Sequence, residues 1–320
     1  MEPRGNELIA RYKATYFIPA EAPITEQMIL FHWRLEKQLT RDLLCSTPQN
    51  RWETFDRSYT RLYSELEWMN RFAGESNTAV GESHYDQERW RLAIGPPPQT
   101  IYEIGSGKGE LITYLARQGY ICNATEVTCE RGEKLSDSSV PNLSWSISDG
   151  VHLGSFEDAA SYDVVISDQV LEHLHPDDLG VHLRGVHQIL KPGGRYIFRT
   201  PHRFSGPHDV SRVFKCDRPL GMHLKEYTYR EFVAALRQAG FTRVYFPFMP
   251  VHDPFGKRLS GKIYLWVLLA TELLLSLVPT HKLRRPCAQL LGKLRLFSNH
   301  GVFLTAEKCD GRWASERVDG

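Results

Sequence analysis

The chain has 320 residues, 39 Lys and Arg against 38 Asp and Glu, and 42% hydrophobic residues, enough apolar material to bury a sizeable core and too much for a disordered chain. A net charge of +1 provides no broad basic field for a phosphate backbone, so nucleic acid is not expected as a partner. Cysteines at 45, 122, 129, 216, 287 and 309 form no C-x-x-C pair and Met1 to Asn6 leads into no apolar signal segment, so reduced thiols and a cytoplasmic location are expected.

From Met1 to about Ile94 the pattern is helical. Thr25 is placed to cap a helix whose apolar face would run Met28, Phe31, Leu35, Leu39. A second amphipathic stretch runs from Trp52 through Phe55, Tyr59, Leu62, Leu66 and Met69, and Phe72 to His84 reads as a loop. Gly95-Pro96-Pro97-Pro98 denies helical hydrogen bonds and marks a boundary. Beyond it, short β-rich runs alternate with helical ones, the signature of a parallel sheet wrapped by helices. The predicted strands are Thr100 to Ile104, Tyr120 to Thr125, Leu143 to Ser148, Tyr162 to Ser167, Arg195 to Thr200, Thr242 to Phe246 and Val302 to Glu307; the clearest helices are Glu110 to Gln118, Asp177 to Leu190 and Tyr229 to Gln238. Ile263 to Val278 is almost wholly apolar, broken only by Thr271, Glu272 and Ser276, with basic residues before and after it. At 1.5 Å per residue it reaches about 24 Å, short of the roughly 30 Å needed to span a bilayer. With the face of Cys287, Leu290, Leu291, Leu294 and Phe297 it predicts a helical hairpin.

The most informative stretch is Ile101 to Glu110, a strand entering a glycine turn that opens a helix. Glycine serves where φ must be positive and where a ligand must approach backbone closely. The acidic Glu126 at the end of the next strand completes the context of an adenosine-ligand site. In a dinucleotide fingerprint the third glycine would fall at position 110, where this chain has Glu, and a carboxylate in the first helical turn repels a pyrophosphate. Glu103 and Glu110 would instead suit a cationic adenosine ligand without phosphate, a description that fits S-adenosylmethionine. A nicotinamide-dependent oxidoreductase is disfavoured on the same ground.

The stretch from about Gln99 to Lys308 resembles a class I S-adenosylmethionine-dependent methyltransferase. The motifs that carry the resemblance are Glu103 to Gly109, Glu126, Ser148-Asp149-Gly150, Tyr162 to Asp168 followed by Val170 to Leu174, and Leu190 to Gly194, in the family's order. It implies an α/β, Rossmann-like seven-stranded, mostly parallel sheet of order 3-2-1-4-5-7-6 with helices on both faces. Around it are expected a helical N-terminal cap (1–98), a methyltransferase domain (99–310) with a helical insertion (251–300) before the last strand, and a flexible tail (311–320). It further implies that Glu103, Gly105, Ser106, Gly107 and Gly109 face the methionine end of the cofactor, that Glu126 accepts from the ribose, that Asp149 and Gly150 meet the adenine, and that Asp168 and Gln169 lie beside the amino-acid moiety.

Methyl transfer needs alignment and, for a protonated acceptor, a base. His173, His202 and His208 follow predicted strand ends and are the candidates, His173 carrying the alternative of an imidazole that hydrogen-bonds within its loop, and His202 and His208 that of ordinary loop residues; His152, His182 and His187 fall on turn or helix surfaces. The E-x-x-E-H metal pattern of some relatives has Gln169 in place of its first Glu, and no metal is expected. The expected acceptor is a small molecule or a lipid-like compound, methylated at oxygen, with N- or C-methylation, or a non-catalytic scaffold, as the alternatives. A peripheral membrane contact through 257–285 and a homodimer are the further partner expectations.

Overall fold

The computed structural model describes residues 3–73, 79–128, 140–247, 260–298 and 301–310. It falls into two compact units: 1–86 together with 206–226, and 87–205 together with 227–320.

The first unit is helical: α1 (Gly5–Tyr16), α2 (Glu26–Leu44), α3 (Arg51–Glu65) and α4 (Glu67–Ala73). Thr25 caps α2, its hydroxyl accepting from Met28 N at 3.3 Å. The buried face shares Leu35 and Leu39 with the one the periodicity suggests but is shifted from it. Phe31 is exposed, and Ile29, His32, Trp33, Leu35, Glu36, Leu39 and Leu43 turn inward. The face is rotated because it includes a buried polar chain: the Tyr12 hydroxyl meets His32 Nδ1 at 2.7 Å and His32 Nε2 meets Glu36 at 2.7 Å. Residues 206–226, expected within the sheet domain, belong to this unit. Val210, Val213 and Phe214 close one core with Leu8, Tyr12, Ile29 and Trp33, and Met222 closes a second with Leu35, Leu39, Leu62 and Leu66. The division of packing therefore does not follow the prolines. α5 (Ala79–Ile94) spans it, and its first turns occupy residues expected as loop. The predicted tail, and 251–259 and 299–300 of the predicted insertion, lie outside the described residues.

In the second unit, β1 (Thr100–Ile104), α6 (Glu110–Arg117), β2 (Ile121–Glu126), β3 (Leu143–Ile147), β4 (Tyr162–Asp168), α7 (Leu179–Ile189), β5 (Leu190–Thr200), α8 (Tyr229–Gln238), β6 (Arg243–Tyr245), α9 (Gly261–Ser276), α10 (His281–Lys293) and β7 (Val302–Glu307) follow in order. The sheet order is β3-β2-β1-β4-β5-β7-β6, as the resemblance implies. β7 runs antiparallel to both neighbours and the other pairings are parallel. β4 is buried through Val164, Val165, Ile166 and Ser167, the continuous run expected of a parallel strand covered on both sides. β5 starts at Leu190, earlier than expected, so the Lys-Pro-Gly-Gly run is part of the strand. Lys191 Nζ there donates to Asp163 (2.9 Å) and Thr100 (3.1 Å), tying β5 to β4 and β1. α8 carries the expected capping box between Thr228 and Glu231. α9 and α10 occupy the interval before β7, and among the described residues no helix is long and apolar enough to cross a membrane.

Candidate active site at the ends of the central strands

β1 lies between β2 and β4, so the chain leaves its carboxyl end toward opposite sides of the sheet, the position where open α/β sheets bind ligands. The glycine loop occupies this point. Gly105, Gly107 and Gly109 all have positive φ (69°, 60° and 73°). A Cβ at Gly105 would sit 2.7 Å from Val170 and one at Gly109 2.6 Å from Trp145, so these two are demanded by packing. A Cβ at Gly107 would meet nothing within 4 Å, which leaves its backbone open to a ligand. Ser106 latches the loop to β2: its N–H donates to Thr125 O (2.9 Å) and its hydroxyl accepts from Thr125 N (3.1 Å).

Two carboxylates flank the loop. Glu126, at the end of β2, accepts from Gly107 N at 2.5 Å and from Val127 N at 3.2 Å. Glu103, on β1, is buried, and its Oε2 has no hydrogen-bond partner among the described residues. Burial pushes it up to about 8. A hydrogen bond with Ser106 opposes the rise, and the charges of Asp168 and Glu126 add to it. A buried carboxyl with one oxygen unpartnered among the described residues, next to the glycine loop, is where a cationic ligand would restore a missing interaction.

Asp168, at the end of β4, is held by Arg199 of β5, which donates from Nε (2.8 Å) and from its terminal nitrogen (2.5 Å). The parallel register sets the two directly opposite each other. Arg199 is the site residue that sequence reasoning missed; a basic residue at the end of a strand in Arg195 to Thr200 was the available signal. Gln169 takes a positive φ of 57° and donates its N–H to Arg199 O at 2.8 Å. Asp149 turns into its own loop, accepting from Val151 N and His152 N, both at 2.8 Å, and pairing with His152 Nδ1 at 2.7 Å. Gly150, at φ 67°, is fixed from behind by His182. A carbonyl only accepts, so His182 Nδ1 donates to Gly150 O, leaving Nε2 to accept from the Tyr196 hydroxyl at 3.0 Å. That hydroxyl in turn accepts from Ser167 at 2.7 Å. His182 is thus a core residue, not a surface one, and burial lowers it to about 4.

The other histidines separate. His173 follows β4, partly exposed, with Nε2 4.0 Å from the buried Glu172 carboxylate. His202 is wholly buried against Phe204, Tyr229 and Phe297. Phe204 N donates to its Nδ1 (3.0 Å), so Nε2 carries the proton and donates to Glu272 (2.8 Å). Both ring nitrogens are engaged inside the core, which replaces the catalytic position expected for His202 with a structural one. His208 lies in the helical unit, not at the end of a strand. There Glu226 accepts from His208 N at 2.7 Å, and lies 3.3 Å from His208 Nδ1 and 3.0 Å from His223 Nδ1. Burial opposes ionisation of Glu226, yet the two histidines outweigh it and hold the carboxyl down at about 2.

A glycine loop at the switch point of a 3-2-1-4-5-7-6 sheet, with an acid at the end of β2, defines a Rossmann-like enzyme that binds an adenosine cofactor. Residues 81–245 match a family described as a methyltransferase domain, more than half of the chain, and the protein belongs to that family, as a class I S-adenosylmethionine-dependent methyltransferase. No curated protein matches the chain in sequence. Similar solved structures include 1,6-didemethyltoxoflavin-N1-methyltransferase of Burkholderia thailandensis with 1,6-didemethyltoxoflavin and S-adenosylhomocysteine bound (16% identity, 83% of this chain and 92% of that chain, TM-score 0.47). Others are a SAM-dependent methyltransferase from Archaeoglobus fulgidus (15%, 71% and 94%, TM-score 0.46) and a possible histamine N-methyltransferase from Thermotoga maritima (15%, 75% and 96%, TM-score 0.43).

Proposed function

We propose that the chain methylates a small or lipid-like acceptor at oxygen, with its cofactor held at the ends of β1, β2 and β4. The observation that carries the cofactor placement is the buried Glu103 oxygen without a partner among the described residues, two residues before a glycine loop in which a side chain at Gly107 would meet nothing. S-adenosylmethionine supplies a methyl group on a sulfonium sulfur, and the residues around it have only to bind, orient and exclude water. Glu103 would face the cationic methionine end together with the backbone of Gly105 to Gly109. Asp168 and Arg199 would offer one charge of each sign to its amino-acid group, beside Gln169. Glu126, which fixes the loop through Gly107 N and Val127 N, would also accept from the two ribose hydroxyls, donors that a strand-end carboxylate can take bidentately. Asp149 and Gly150 would border the adenine, Asp149 with less capacity to spare because its loop already uses both oxygens.

His173 is the group we assign to the acceptor's proton. It stands just beyond Asp168 and Gln169, and its ring faces the Glu172 carboxylate, which would stabilise the imidazolium formed on proton uptake. The experiment is to supply S-adenosylmethionine with phenolic, hydroxyl and amine acceptors, to measure S-adenosylhomocysteine release, and to identify the methylated atom. Oxygen methylation is expected, with kcat rising through the titration of an imidazole in the native enzyme. His173→Ala should lose that limb and about 100-fold in kcat. Methylation confined to nitrogen or carbon, or a pH profile unchanged in the variant, would contradict this reading.

A further inference from the structure

α9 reverses the usual distribution of a surface helix. Its inward face holds the only polar side chains of its middle turns, Thr271 and Glu272, beside Tyr264, Leu265, Leu268 and Leu275. Its outward face carries Ile263, Trp266, Ala270, Leu273, Leu274 and Leu277, spaced i, i+3, i+7, i+10, i+11 and i+14. Trp266 is 71% exposed, Leu274 66% and Leu277 73%. A helix apolar on all sides is ordinarily buried on all sides, and an exposed apolar face of this extent marks an interaction surface.

Charge selects the occupant. Residues 260–298 contain six Lys and Arg against one acid, Glu272, and that acid is turned inward. Residues of α8 and α9 line an open groove of about 590 Å³, with Val233, Trp266 and Leu269 among its apolar side chains and Arg230, Arg237 and Lys262 among its cations. Glu231 of α8 is paired with Arg203 at 3.0 Å. An exposed apolar stripe beside cations that form no ion pair among the described residues matches a bilayer surface bearing anionic headgroups, where Trp is at home between acyl chains and water. A second copy of the chain on the same face would set these cations against each other, so self-association is the poorer fit. α9 has 16 residues, about 24 Å, so it would lie along a membrane and not cross it.

We propose that the outward face of α9, with Arg230, Arg237 and Lys262 beside it, docks on the surface of an anionic lipid bilayer, Trp266 entering the headgroup layer. The test uses the full chain and flotation with vesicles of phosphatidylcholine alone or mixed with phosphatidylserine. Binding should require phosphatidylserine and weaken as salt is raised. It should fall about tenfold or more in Trp266→Ala with Leu277→Ala, and separately in Arg237→Glu with Lys262→Glu. Far-ultraviolet circular dichroism and S-adenosylhomocysteine binding should be unchanged in both pairs; should the apolar pair fail to fold, the charge pair decides. Absence of binding to the mixed vesicles, or equal binding to phosphatidylcholine alone, would overturn the proposal. So would a dimer in sedimentation velocity that Trp266→Ala abolishes in a protein that ignores vesicles.

Discussion

Glu103 keeps its proton well above the pH at which an exposed carboxyl loses it, because burial pushes it up to about 8. A raised acid pKa means that the folded apo protein binds more protons than the unfolded chain between the ordinary value of 4.5 and about 8, so this group's contribution to stability declines as pH rises through that window. A cationic cofactor beside it favours the ionised form, so binding below about pH 8 should release a proton. Calorimetry in two buffers of different ionisation enthalpy at pH 7 should therefore show proton release, and cofactor affinity should climb toward pH 8. In Glu103→Gln both effects should vanish. Buffer-independent heats in the native protein would place the cofactor's positive charge elsewhere. The neighbouring histidines show how residue type alone misleads. His173 and His202 each follow a strand end, yet one stays partly exposed beside Glu172 and the other is enclosed by three aromatic rings with both nitrogens committed.

At the scale of elements, Glu272 explains why an acid interrupts the apolar run of α9. Its two oxygens accept from Tyr229 N (2.7 Å) and Arg230 N (3.1 Å), the first amides of α8, and one also takes His202 Nε2. One side chain thus joins α9, the amino end of α8 and the loop after β5, with the carboxylate placed at the positive end of the helix dipole. Removing it strands those donors in the core. Glu272→Ala should cost about 3–5 kcal/mol in chemical denaturation, and a loss under 1 kcal/mol would show that the contact carries little. The strands were legible because buried parallel strands appear as short unbroken apolar runs between turn signals, as in Val164 to Ile166. The segment 206–226 was not, because what fixes it is distant in sequence: Met222 N on Glu36 at 3.2 Å, and Phe214 stacked on Trp33 at 4.7 Å. Arg199 was missed for the same reason, since only the register of β4 against β5 reveals that it faces Asp168.

For the whole molecule, near-neutral charge is the sum of separated groups. Acids gather at the ends of β1, β2 and β4, and bases gather on the α9 and α10 hairpin with hardly an acid among them. The glycine loop and Glu126 were legible because each is dictated locally by backbone conformation or strand sequence, whereas the sheet order followed only from the family resemblance that these motifs carry. Nothing equally local dictates an acceptor, since pockets are made by whichever helices and insertions cover the sheet. Glu126 and the glycine loop are proposed to hold S-adenosylmethionine. Titration of S-adenosylmethionine into the native protein and into Glu126→Ala, followed by calorimetry, tests it most directly. One site per chain is expected, weakened about 100-fold in the variant by loss of two charge-assisted hydrogen bonds to the ribose. Equal affinity in the two proteins, or no binding to the native protein, would contradict it.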